Sequence, residues 1–196
     1  MIQNSRAFHG ISNVLAIVLA IATVSALCAQ TPAISASDQK LLSDFSHKAK
    51  VYIDKEHSLT ADKMKPTTDV AKLEQQRHQL RDAVQQSRAN AKQGDLFSSE
   101  TGQAFRRVLA RLFNGPDGAK IKTSLQHAEP GAPAQFKVNG EFPNQNGQPI
   151  QSVPPTVLQA LPTLPKGLEY CIAGNTLALR DTGANMVVDF LPNALP

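Results

Sequence analysis

Residues 168–191 read LEYCIAGNTLALRDTGANMVVDFL. Three apolar runs are separated here by two turn signals. Leu168, Tyr170 and Ile172 alternate with polar or small residues, and so do Leu177 and Leu179. A period of two is the pattern of a strand with one buried face. Gly174-Asn175 marks the first turn, and Asp181-Thr182-Gly183-Ala184-Asn185 marks the second. Asp and Asn bond to their own backbone in such turns, and Gly relieves strain. Met186 to Leu191 supplies the third strand. Connections this short join antiparallel neighbours, so the stretch predicts a three-stranded antiparallel meander. A sheet this small needs a cover for its apolar face.

The cover has to come from upstream, where the composition changes. Residues 130–196 hold ten Pro, three bases and four acids; residues 30–129 hold three Pro, 16 bases and 12 acids. The Pro-poor part reads as helix. Leu41, Leu42, Phe45, Ala49, Tyr52 and Ile53 recur at helical spacing and predict a first helix over about 38–57, capped by Ser37 or Asp38. A polar connection follows at 62–66. Val70, Leu73, Arg77, Leu80, Val84, Ser87 and Ala91 form a narrow heptad seam over about 67–92, with Gly94 past its end. The short connection predicts a helical hairpin. Phe105, Val108, Leu109, Leu112 and Phe113 predict a third helix over 99–113, stopped by Gly115-Pro116. A shorter helix is expected over 117–126.

Between helices and meander, Asn139-Gly140 sits between QFKV (135–138) and Glu141-Phe142. That dipeptide is a strong two-residue hairpin signal, with Pro143 cutting the return strand short. Residues 144–151 read as a polar loop, and Pro154-Pro155 opens a short helix through Ala160. The fold class expected is therefore α+β: a helical hairpin with one or two further helices, packed on a small meander.

The first thirty residues follow another logic. Arg6 and His9 precede an almost wholly apolar run from Ile11 to Leu27, and small residues and Pro32 come next. This is the order of a secretory signal peptide, with cleavage after Cys28 or Ala29. Leu27 directly before Cys28 fits a lipoprotein signal poorly. The alternative is an uncleaved membrane anchor, since the run matches the shortest spanning helices. Export predicts a periplasmic or extracellular protein. Removal of residues 1–29 takes Cys28 away, so Cys171 stands alone and no internal disulfide supports the core.

Composition narrows the function. The 196 residues are 41% apolar and 18% charged, with a net charge of +4. That excludes wholesale disorder. Aromatic residues make up 5%, too few for a base-stacking surface, and the charge is too small to predict a nucleic-acid partner. Weak contact with acidic or membrane surfaces fits it better. Arg106, Arg107 and Arg111 are the candidate interaction residues, lying beside or opposite the apolar stripe of helix three.

ALRDTGANMVV (178–188) resembles the active-site segment of retroviral-type aspartic proteases. Those enzymes share one proton between two carboxylates from two copies of the motif. Here one copy is present, and Arg180 stands where that family has an apolar residue. The plainer reading is a structural turn at Asp181, Gly183 and Asn185, matching the turn at Gly174 and Asn175. Cys171 reads as a small strand residue facing away from Tyr170 and Ile172. His47, His57, His78 and His127 show no metal-ligand spacing, and no cofactor fingerprint is present.

The carboxy-terminal segment from Leu161 onward, with its Leu-Pro-rich lead-in and Pro165, Gly167-Leu168-Glu169-Tyr170, Gly174, Arg180-Asp181, Ala184-Asn185 and Val188-Asp189-Phe190, resembles a group of exported bacterial proteins of uncharacterised role. More loosely, it is similar to the tail of the periplasmic nickel/cobalt-homeostasis family, which carries a Trp and a basic, His-bearing lead-in that this chain lacks. The resemblance implies export and a meander module, and no catalytic residue. The function expected is an exported, non-enzymatic protein that binds a partner or envelope ligand. A metal-responsive periplasmic accessory protein is the alternative, and an aspartic protease using Asp181-Thr182-Gly183 the remote one.

Overall fold

The computed structural model describes residues 34–60, 66–126, 135–143 and 153–196. The export segment expected at 1–29 and the polar loop expected at 144–151 lie outside these residues, as does most of the connection expected at 62–66. The described elements are α1 (Ala36–Thr60), α2 (Val70–Ser87), α3 (Ser99–Phe113), α4 (Gly118–Gln126), α5 (Pro155–Ala160), β1 (Leu168–Ala173), β2 (Thr176–Asp181) and β3 (Met186–Leu191). This is the expected α+β class. No described helix is long and apolar enough to cross a membrane.

Helix starts follow their caps. Ser35 Oγ accepts from Asp38 N at 3.1 Å, so α1 begins before the expected Ser37 or Asp38. Asp69 Oδ1 accepts from Ala71 N and Lys72 N, which starts α2 later than Thr67. Ser98 caps α3 through Thr101 N, with the bounds expected. The end of α2 differs most. The helix stops at Ser87 rather than Lys92. The Arg88 carbonyl accepts from Asn139 Nδ2 at 2.7 Å and from Ala91 N at 2.8 Å, which turns the chain out of the helix. Gly94, at φ 93°, therefore shapes the following loop and not a helix end.

Helices α1 and α2 run against each other. Arg88 lies over the Tyr52 ring, and Lys55 Nζ donates one residue back, to the Ser87 carbonyl. The expected seam of α2 is only half used. Leu80 and Val84 are buried, whereas Val70 and Leu73 are 72% and 43% exposed. The centre of the core is an aromatic cluster. Phe45 of α1 packs on Phe97 at 5.0 Å and Phe105 of α3 at 4.8 Å, and Tyr170 of β1 closes it at 6.4 Å.

The sheet is the expected meander, in the order β1-β2-β3. Tyr170 pairs with Leu179 and Ile172 with Leu177, which puts the alternating apolar residues on the face covered by the helices. The register between β2 and β3 shifts between Leu179 and Arg180. The opposite face is apolar too. Cys171, Ala178, Val187 and Phe142 form a second cluster with Phe136 and Phe190 packed on it.

Phe136 and Phe142 arrive there because the hairpin expected at Asn139-Gly140 does not form. Asn139 takes the left-handed conformation the signal implies, at φ 61°. Its N–H, however, donates to the Val187 carbonyl, Val187 N donates to Gly140, and Phe142 N donates to Asn185. Apart from the turn bond that Gly140 N donates to the Lys137 carbonyl, segment 139–142 pairs with the free edge of β3. An open strand edge offers a full set of backbone partners, which a two-residue return strand cut by Pro143 does not.

Candidate functional site

Asp181 closes β2 and is 1% exposed. Its Oδ1 accepts from Ala184 N at 2.8 Å, the local turn bond expected of it. Its Oδ2 accepts from the Tyr52 hydroxyl at 2.6 Å. Tyr52 lies on the buried face of α1, and Glu56 follows one helical turn later on that face, 7% exposed. Both carboxyl groups converge on Gly183. A Cβ built there would stand 3.3 Å from Asp181 Oδ1, 3.3 Å from Glu56 Oε1 and 3.2 Å from Leu80 Cδ2. Gly183 therefore serves close packing. The left-handed residue of this turn is Asn185, at φ 50°, which corrects the expectation that Gly183 relieves strain.

The electrostatics of the pair are asymmetric. Burial, and then the Asp181 charge, push the Glu56 carboxyl up to about 6, against a smaller opposing effect of His57. Burial and the Asp181 charge also push the Tyr52 phenol well above its ordinary range, with Arg88 opposing. A carboxyl group raised toward neutrality beside a second carboxyl group is the raw material of acid–base catalysis. Here both Asp181 oxygens are engaged by donors of the chain itself. The neighbours of Asp181-Thr182-Gly183 are a tyrosine and a glutamate rather than a second Asp-Thr-Gly.

The other turn residues are also built into the fold. Gly174 takes φ 58°. Asn175 Nδ2 donates to Asn193 Oδ1, and the Asn175 carbonyl accepts from Ala194 N and Leu195 N, which docks the tail. Asn185 Oδ1 accepts from Arg180 Nη2 at 2.6 Å.

The three arginines of α3 separate in role. Arg106 holds the tail, donating to the carbonyls of Pro192 at 2.8 Å and Asn193 at 3.0 Å. Arg107 pairs with Asp38 of α1 and holds that carboxyl below its ordinary value; Arg111 adds a smaller effect. Arg107 also borders an open groove of about 450 Å³ between α1 and α3, with Lys40, Leu41, Asp44, Glu100 and Gln103. Cys171 faces away from the helices, as alternation predicts, and is 4% exposed. Among the described residues no three His, Cys, Asp or Glu side chains cluster to hold a metal ion.

Sequence reasoning passed over three residues that anchor this architecture. Tyr52 counted only as apolar, and Glu56 was not singled out. The signal was present: Glu56 continues the Phe45, Ala49, Tyr52 stripe at helical spacing, where an acid is buried. The third is Asp189, an acid inside an apolar strand, which sequence reasoning named only as part of the carboxy-terminal resemblance and gave no role. No protein-family model, curated protein or solved structure matches the chain.

Proposed function

We propose that the chain is an exported, non-enzymatic protein that binds a partner or ligand through the groove between α1 and α3. The observation that supports binding is the make-up of that groove. Leu41 gives it an apolar floor, while Lys40, Arg107, Asp44 and Glu100 place both signs of charge around it. Such a surface orients a ligand that has apolar body and polar ends. The support for export is the apolar run from Ile11 to Leu27 and the small residues after it. The non-enzymatic reading is supported by Asp181, whose two oxygens are bound to Tyr52 and Ala184.

Fractionation of cells making the carboxy-terminally tagged full chain tests the first part. The expected product is found outside the cytoplasm and begins at Ala29 or Gln30. Full-length cytoplasmic protein would overturn it. Hydrolysis of generic ester, peptide or glycoside substrates at enzymatic rates, abolished by one substitution, would overturn the second part.

A further inference from the structure

We propose that Glu56 and Asp181 form a pH-operated latch between α1 and the β2–β3 turn, engaged while Glu56 is protonated and slackened when it ionises. The inference rests on packing and stands apart from the reading of export and binding. Glu56 Oε1 and Asp181 Oδ1 both come within 3.3 Å of the point where a Cβ on Gly183 would stand, beside Leu80 Cδ2 at 3.2 Å, so the bare glycine brings the two carboxyl groups to one spot. Asp181, whose two oxygens accept from Tyr52 and from Ala184 N, is the neighbouring charge that opposes ionisation of Glu56. An ionised Glu56 would therefore place a second negative charge beside it under little water.

Every packed element bears on this balance. From α1, Tyr52 faces Asp181, and His57 Nε2 lies 3.5 Å from Glu56 Oε2 on the solvent side. From the turn comes Asp181 itself. From α2, Leu80 is the side chain at Gly183. Its neighbour Arg81 is held by Glu141 at 2.9 Å, and Arg88 lies over the Tyr52 ring at 5.0 Å. The exposed His57 is thus the base whose contact with Glu56 the structure shows.

The direction follows from the two states of the chain. Glu56 titrates near the ordinary 4.5 when unfolded and at about 6 when folded. A folded value above the unfolded one means stability is complete below 4.5 and is lost as pH rises through 6. The freed charge draws Glu56 outward past Gly183. Thr182 and Gly183 are exposed, so the turn is where the structure yields.

The test is urea unfolding of the full chain at pH 5 and pH 7.5, with amide exchange read at Thr182–Asn185. The unfolding constant of the wild type should rise roughly tenfold over that interval by the shift of Glu56. Exchange at the turn, corrected for intrinsic rates, should rise with it. In Glu56→Gln the glutamate-linked part of both changes should vanish. An equal rise in wild type and Glu56→Gln would overturn the proposal, and so would a rise abolished by His57→Gln alone. Should Glu56→Gln fail to fold, the carboxyl carbon of Glu56 is titrated by NMR in the wild type. A midpoint near 6 supports the latch, and one at or below the ordinary 4.5 overturns it.

Discussion

Tyr52 and Asp181, 129 residues apart, are joined by a buried hydrogen bond of 2.6 Å from the phenol to Oδ2. The bond ties the last third of α1 to the end of β2. The ring beside it is covered by Arg88, which also donates to the Val188 carbonyl. One contact thus links α1, the end of α2 and two strands.

Tyr52→Phe keeps the ring and removes the donor. Asp181 Oδ2 is then buried without its partner, at a cost of about 2 kcal/mol, the range for hydrogen bonds to charged groups. The urea midpoint should fall with an unchanged slope. In an Asp181→Ala background the same change should cost much less. Equal costs in both backgrounds would assign the effect to ring packing.

Two glycines should fail for different reasons. Gly174→Ala meets no atom within 4 Å but must hold φ 58°, which costs about 1 kcal/mol. Gly183→Ala has no such backbone demand but crowds Glu56, Asp181 and Leu80 together, at about 1–3 kcal/mol. NMR separates them: amide and side-chain signals of Glu56 and Asp181 should move in Gly183→Ala and stay in Gly174→Ala. Matching spectra would show that Glu56 and Asp181 stand farther from Gly183 than the 3.3 Å a Cβ there would meet.

These sites also show what could be read from the chain. Local signals carried far: the alternation of Leu168, Tyr170 and Ile172 gave β1, and Ser98 with Gly115-Pro116 bounded α3. The left-handed turn at Asn139 was legible, but its partner was not. A hairpin signal reports backbone conformation, and the open edge of β3, some 45 residues away, decided the pairing. The seam of α2 was overread because a heptad records what a helix could bury, and only Leu80 and Val84 meet the core. Glu56 and Asp181 are joined by tertiary packing, which no spacing reveals. The α1–α3 groove likewise draws on residues that local patterns assign to two solvated helix faces.

Asp189 offers a sharper perturbation. It is fully buried in β3 and accepts four backbone N–H groups. Gly94 and Phe190 bond to Oδ1; Leu96 and Phe97 bond to Oδ2. This carboxylate closes the loop between α2 and α3 and seats Phe97 in the aromatic cluster. Asp189→Asn replaces one acceptor oxygen by a donor facing N–H groups. The expected cost is about 3 kcal/mol. Amide exchange at Gly94–Phe97 should quicken more than exchange at the β1–β2 turn. Uniform quickening would mean that the loop has no separate opening.

Cys171 should be silent in the folded chain. Its thiol lies in the outer cluster with Ala178, Val187 and Phe142 and donates to Glu169 Oε1 at 3.6 Å. Burial, and then the Glu169 charge, push it up to about 12, so almost no thiolate exists near neutral pH. In a Cys28→Ser full chain, labelling by a water-soluble disulfide reagent at pH 8 should be at least about a hundredfold slower when native than when unfolded in urea. Native protein should form no disulfide-linked dimer on exposure to air. Phe142→Ala uncovers the thiol, and labelling should then quicken together with any dimer. Rapid labelling of the parent chain would show instead that segment 139–142 leaves the edge of β3 often, since it pairs that strand and places Phe142 in the cluster that holds the sulfur.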